Sequence, residues 1–187
     1  MRIVAGRFKG KQLATPKGWD IRPTSDKTRE AIFNILTHGI EGFRLEGALV
    51  LDLFSGTGAL GLEALSRGAA YCLFVEENAE ARALIRRNIE ALGVAGETRI
   101  FRRDATGLGQ AARFGGRFDV LFADPPYGRG LAELALRSAA QGRWLKPEAL
   151  CVVEEEAEAE LAPPPGFELL QRRDYGAAAV HFLRWEG

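Results

Sequence analysis

The sequence predicts an α/β fold: a mostly parallel, seven-stranded sheet with an antiparallel last strand and helices packed on its faces. Three observations predict it. From residue 46 onward, short unbroken apolar runs alternate with segments of helical spacing. Four successive apolar runs each finish at or beside a carboxylate, namely Asp52, Glu76, Asp104 and Asp124. After the chain-breaking APPPG at 162–166, two more strand-like runs are separated only by a tight turn near Gly176, so they pair antiparallel.

The elements follow in order. ALVLDLF at 48–54 is a continuous apolar run, as a parallel strand buried on both faces reads. A helix covers 59–68 and stops at Gly68. Residues 70–76 form a second strand. Asn78 caps a helix that Gly93 ends. Strands are expected at 98–104, 118–124 and 149–155, with a helix at 131–141 before the last of these. The acidic stretch EEEAEAE at 154–160 reads as a solvated segment without a functional part.

Residues 1–45 read differently. RIVAG and KQLAT look like short strands around a turn at FKGK, and PKGWDIRPT is a loop with two prolines. Thr24, Ser25 or Asp26 then caps a helix whose apolar positions include Ile32, Phe33, Ile35, Leu36 and Ile40. The chain thus divides into an N-terminal hairpin-and-helix extension, 1–45, and a main domain, 46–187.

A chain of 187 residues, 47% hydrophobic, supports one domain with a sizeable core. The formal net charge is zero, which excludes a simple polybasic binder. The balance hides an asymmetry, because residues 1–30 carry eight Lys or Arg against three acids. A basic arm on an acidic body points to a polyanionic partner held at one end. Arg2, Arg7, Lys9, Lys11 and Lys17 are candidates for phosphate contacts, with Arg22 and Arg29 closer to the pocket. Cys72 and Cys151 lie inside apolar runs and read as buried thiols. His38 and His181 stand alone, so no metal site is expected. No apolar run is long enough to span a membrane, and a soluble, cytoplasmic protein is expected.

The chemistry sits at the carboxyl ends of the strands, where ligands bind in such sheets. In DLFSGTGALGLEAL at 52–65, Gly56 and Gly58 allow a tight turn and a close backbone approach to a ligand. With Gly61 they match a dinucleotide fingerprint, but Asp52 just before the loop would oppose a pyrophosphate. S-adenosylmethionine, which carries a sulfonium and an amino group and no phosphate, suits that carboxylate. Glu76 is placed to accept from two ribose hydroxyls. Asp104 reads equally as an acceptor for an adenine amino group or as a cap for the next segment, and Ala105 leaves room for a ring.

Asp124-Pro125-Pro126-Tyr127 decides between these ligands. The lone pair of an exocyclic base amine is delocalised into the ring. A carboxylate oxygen from Asp124 and the backbone carbonyl of Pro125 can bind its hydrogens and steer that lone pair toward a methyl donor. The prolines stiffen the loop, and Tyr127 offers a face for stacking a base.

The glycine loop, Glu76, Asp104 and DPPY together resemble the Rossmann-like S-adenosylmethionine-dependent methyltransferases. RIVAGRFKGKQL, RPTSDKTREAIFNIL and DLFSGTGALGLEALSRGA resemble the bacterial RsmD family of 16S rRNA guanine-N2-methyltransferases, over nearly the whole chain. The resemblance implies methylation of the N2 amine of one guanine in 16S rRNA, within an assembled or assembling small ribosomal subunit. S-adenosylhomocysteine would be the second product. Asp52, Gly56, Gly58, Glu76, Asp104 and Ala105 would hold the cofactor, and Asp124, Pro125 and Tyr127 the base. A DNA or RNA adenine-N6-methyltransferase shares DPPY, but the DNA enzymes normally need more mass for sequence recognition. An NAD-dependent oxidoreductase leaves DPPY and the basic arm unexplained. A non-catalytic RNA-binding module leaves the strand-end acids unexplained.

Overall fold

A computed structural model describes residues 1–17, 25–114 and 117–187. Helix α1 spans Asp26–His38, followed by β1 (Leu49–Leu53), α2 (Ala59–Ser66), β2 (Tyr71–Val75) and α3 (Ala79–Leu92). Then come β3 (Thr98–Phe101), β4 (Phe118–Ala123), α4 (Leu131–Gln141), β5 (Leu145–Glu156), β6 (Phe167–Tyr175) and β7 (Ala178–Trp185). The strands form one seven-stranded sheet in the order β3-β2-β1-β4-β5-β7-β6. The first five in this order run parallel; β7 is antiparallel to both β5 and β6.

Alternation along each strand feeds two apolar layers. Val50, Phe74, Phe122 and Val152 pack with Phe33, Leu62 and Ile85 of α1, α2 and α3. Leu51, Leu73, Leu121 and Cys151 pack on the other face with Leu136 of α4 and with Trp144. Both faces are covered, which explains the unbroken apolar strand sequences. Gly61 lets α2 press onto β2, since a Cβ there would sit 2.5 Å from Cys72 Sγ and from the Phe74 ring. Both cysteines are buried free thiols. Asn78 caps α3 by accepting from Ala81 N, and Gly93 ends it at φ +68°. Among the described residues, no helix is long and apolar enough to cross a membrane, and no cluster of His, Cys, Asp or Glu could hold a metal ion.

The structure corrects three details. The N-terminal arm does turn back on itself, with Ile3 N donating to Lys11 O, Gly10 N to Ile3 O and Leu13 N to Met1 O, but in place of the two expected strands it forms one antiparallel bridge, between Arg2 and Gln12. Other backbone donors of the arm leave the ladder: Val4 N and Ala5 N go to the Glu63 carboxylate, and Arg7 N and Phe8 N to Ser66. The arm is thus bonded both across its own turn and to α2, and Ile3 and Leu13 enter the same core as α1. The third strand ends at Phe101, three residues short of Asp104. The acidic stretch is not wholly solvated, because β5 continues through it and buries Glu154 and Glu155. Of the candidate caps for α1, Ser25 accepts from Thr28 N, and Thr24 lies outside the described residues.

Candidate active site

The strand order turns at β1 and β4, which are parallel neighbours with Leu53 opposite Ala123. On the other side of β1, Leu53 stands opposite Val75 of β2. The segments that leave these three strand ends are the glycine loop, DPPY and Glu76. They surround a cleft of about 1360 Å³, at the switch point where open α/β sheets bind ligands.

On one side of the cleft the glycine loop turns through Phe54, Gly56 and Gly58, all with positive φ. Glu76 Oε1 accepts from Gly56 N at 2.8 Å and Oε2 from Asn78 N at 3.1 Å, so the carboxylate is fixed at the cleft wall. Gly58 has φ +80° and heads α2, but it is not part of the cleft wall. A Cβ there would meet the Phe74 ring at 3.3 Å. Gly58 thus shapes the loop between Gly56 and Ala59, both of which line the cleft.

Asp104 acts as a cap and also stands at the cleft wall. Its Oδ1 caps a short helical turn by accepting from Thr106 N and Thr106 Oγ1, and the residue lines the cleft beside the buried Ala105.

Asp52 lies deepest, 2% exposed, with Oδ2 accepting from Gly61 N at 3.1 Å. Burial pushes its carboxyl well above the ordinary carboxylate range; the Gly61 bond works against this and the nearby Glu76 charge adds to it. A cation entering the cleft favours the ionised form. Below the raised pKa, cofactor binding should therefore release a proton, and affinity should rise as pH climbs through that pKa. Calorimetry in buffers of different ionisation enthalpy measures this. Asp52→Asn should abolish the proton release, and release that persists in the variant would contradict the assignment.

On the other side, Asp124 follows β4 directly and is half-buried, Pro125 is buried and Tyr127 is half-buried. All three line the cleft. Tyr127 Oη donates to Glu154 Oε1 at 3.0 Å, and Gly128 N donates to Glu155 Oε1 at 3.2 Å. Two buried glutamates of β5 thus hold the DPPY loop from behind. Sequence reasoning missed them, although EEE directly continues the apolar run of β5 and so marks a strand end.

Arg2, Arg7, Lys9, Lys11 and Lys17 are all exposed on the arm. Arg7 pairs with Glu97 at 2.6 Å and lies over the Phe8 ring. Arg22 falls outside the described residues. Arg29 is the correction: it is fully buried and bonds Glu63, Asp26 and the Arg2 carbonyl, so it is not available to phosphate.

This crevice and sheet define the Rossmann-like S-adenosylmethionine-dependent methyltransferase fold. The family described as "Conserved hypothetical protein 95" matches residues 1–184. The chain is 37% identical over 183 residues to the ribosomal RNA small subunit methyltransferase D of Escherichia coli strain K12, covering 98% of this chain and 88% of that one. It is 33% identical over 185 residues to the protein of the same name from Haemophilus influenzae, covering 98% and 93%. Among solved structures, Escherichia coli yhhF, described as a methyltransferase, aligns with a TM-score of 0.84 and 31% identity over 100% of this chain and 98% of that one. The chain belongs to this family and is a methyltransferase.

Proposed function

We propose that the protein transfers a methyl group from S-adenosylmethionine to the exocyclic N2 amine of a guanine in 16S rRNA of the small ribosomal subunit, in the cytoplasm. The observation that carries this is the placement of the glycine loop and DPPY on adjacent parallel strands, opening into one cleft. The names of the relatives support the RNA substrate.

The residues fit the cofactor. A buried carboxylate at Asp52 suits a cationic group, Glu76 stands where a ribose would lie, and Ala105 beside Asp104 leaves space for a ring. When bound, S-adenosylmethionine supplies an electrophilic methyl group. The chain's own contribution is positioning. Asp124 and the Pro125 carbonyl accept the two amine hydrogens and turn the nitrogen lone pair toward the cofactor side. Tyr127, tethered to Glu154, presents a stacking face and keeps the base in register. A base swung out of its helix or loop reaches such a pocket.

Residues 1–45 serve as the RNA-holding extension of a 46–187 methyltransferase domain. Because Ile3 and Leu13 are buried and Val4 and Ala5 bond Glu63, removing the arm would disturb the fold. Charge reversal is the cleaner test. Lys9→Glu with Lys11→Glu should weaken rRNA binding and reduce the salt slope by about two, with cofactor affinity unchanged. An unchanged slope would remove these lysines from the interface.

The function itself is tested by incubating the protein with labelled S-adenosylmethionine and small subunits lacking the modification. Label in 16S rRNA is expected. Label only in duplex DNA, or none in nucleic acid, would overturn the proposal.

A further inference from the structure

We infer that Glu156 reads the Watson–Crick edge of the target base and selects guanine over adenine. The inference rests on the placement of the base at DPPY proposed above. Asp124 and the Pro125 carbonyl serve an exocyclic amine, and both purines carry one. The difference lies on the neighbouring ring nitrogen: guanine N1 bears a hydrogen and donates, whereas adenine N1 has a bare lone pair and accepts. An acceptor placed beside the amine pocket therefore favours guanine, and it faces adenine lone pair to lone pair.

Glu156 is that acceptor. It ends β5, is half-buried and lines the cleft together with Asp124 and Tyr127. Alternation puts it on the same face of β5 as Glu154, about 6.7 Å further along the strand. Glu154 is already engaged by the Tyr127 hydroxyl, and Glu155 accepts from Gly128 N and Glu156 N. The Glu156 carboxylate has no hydrogen bond or ion pair among the described residues, although its two acidic neighbours are both spent on structure. It lies against the base-holding loop, with Oε2 3.7 Å from where a Cβ would stand at Gly128. An ionised carboxylate accepts and cannot donate, so it matches the N1–H of guanine in charge and in polarity. Sites built to bond a donor reject analogues that lack it far more strongly than apolar pockets reject a change of shape.

The test uses small subunits reconstituted with 16S rRNA that carries either guanine or 2-aminopurine at the target position. 2-Aminopurine keeps the amine and lacks the N1 hydrogen. The wild type should prefer guanine in kcat/KM by about tenfold or more. In Glu156→Gln, whose amide can donate to a bare N1, the preference should fall toward unity through loss on guanine and gain on 2-aminopurine. Glu156→Asp should retain the sign of the preference. Cofactor affinity, measured by calorimetry, should match the wild type in both variants. A preference in Glu156→Gln equal to that of the wild type overturns this inference alone. So does loss of cofactor binding in that variant, which would assign Glu156 to the cofactor or the fold. A wild type that methylates no guanine amine overturns the proposed function, and the inference with it.

Discussion

Asp124→Ala is expected to lower kcat for methyl transfer by about 10²–10³-fold while leaving S-adenosylmethionine affinity essentially unchanged; the range is that for removing one group that orients or stabilises a reacting centre. The separation follows from the sheet. Asp124 follows β4, whereas Asp52 lies near the end of β1 and Glu76 follows β2, and the latter two are bonded to the glycine loop and α2 on the side proposed to hold the cofactor. Truncation at Asp124 removes an acceptor for the amine on the DPPY side of the cleft. Asp124→Asn, which keeps a carbonyl acceptor, should lose less. Single-turnover kinetics and calorimetry check the pair of expectations. A parallel collapse of cofactor affinity in Asp124→Ala would place this residue on the wrong side of the cleft.

The second large effect is on stability. Glu63 and Arg29 are both fully enclosed, with Arg29 Nε 3.2 Å from Glu63 Oε1. Glu63 also takes Arg67 Nε at 2.9 Å and the backbone donors of Val4 and Ala5. Arg29 in turn bonds Asp26 at 2.8 Å and the Arg2 carbonyl. One ion-pair network therefore ties the N-terminal arm and α1 to α2, the helix that follows the glycine loop. Removing one partner of a buried pair leaves the other charge uncompensated and costs about 3–5 kcal/mol. For a chain of this length, Arg29→Ala should lower Tm by about 6–20 °C. Arg29→Lys keeps the charge and loses the planar fork, so an intermediate fall is expected. Thermal unfolding of the two variants decides it. A Tm for Arg29→Ala indistinguishable from the wild type would mean that the network contributes nothing net.

Arg29 also shows where sequence reading stops and where it could have gone further. Its charge suggested a phosphate contact, yet Arg29, Ile32, Phe33 and Leu36 stand at i, i+3, i+4 and i+7 and are the buried residues of α1. The spacing placed it on the apolar stripe. Its partner could not be read, because Glu63 lies 34 positions away. The same holds for Glu154, 27 positions from the tyrosine hydroxyl it accepts. Local signals fared better. The Asn78 cap, the Gly93 stop and the 131–141 helix follow from periodicity and end chemistry within a few residues. The strand ends bearing Asp52, Glu76 and Asp124 were legible because buried parallel strands read as unbroken apolar runs. The N-terminal arm was legible as a chain reversal but not in its pairing, because strand-like residues reveal nothing about which acceptors their backbone finds. Here some of those acceptors lie across the turn, at Lys11, Ile3 and Met1, and others on α2, at Glu63 and Ser66.

The measurement that tests the central claim most directly is the chemical identity of the product nucleoside. Small subunits lacking the modification are incubated with the protein and S-adenosylmethionine, and the 16S rRNA is digested to nucleosides and separated by chromatography with mass detection. A single new product, N2-methylguanosine, is expected, formed far more slowly with Asp124→Ala. N6-methyladenosine in its place would contradict the claim.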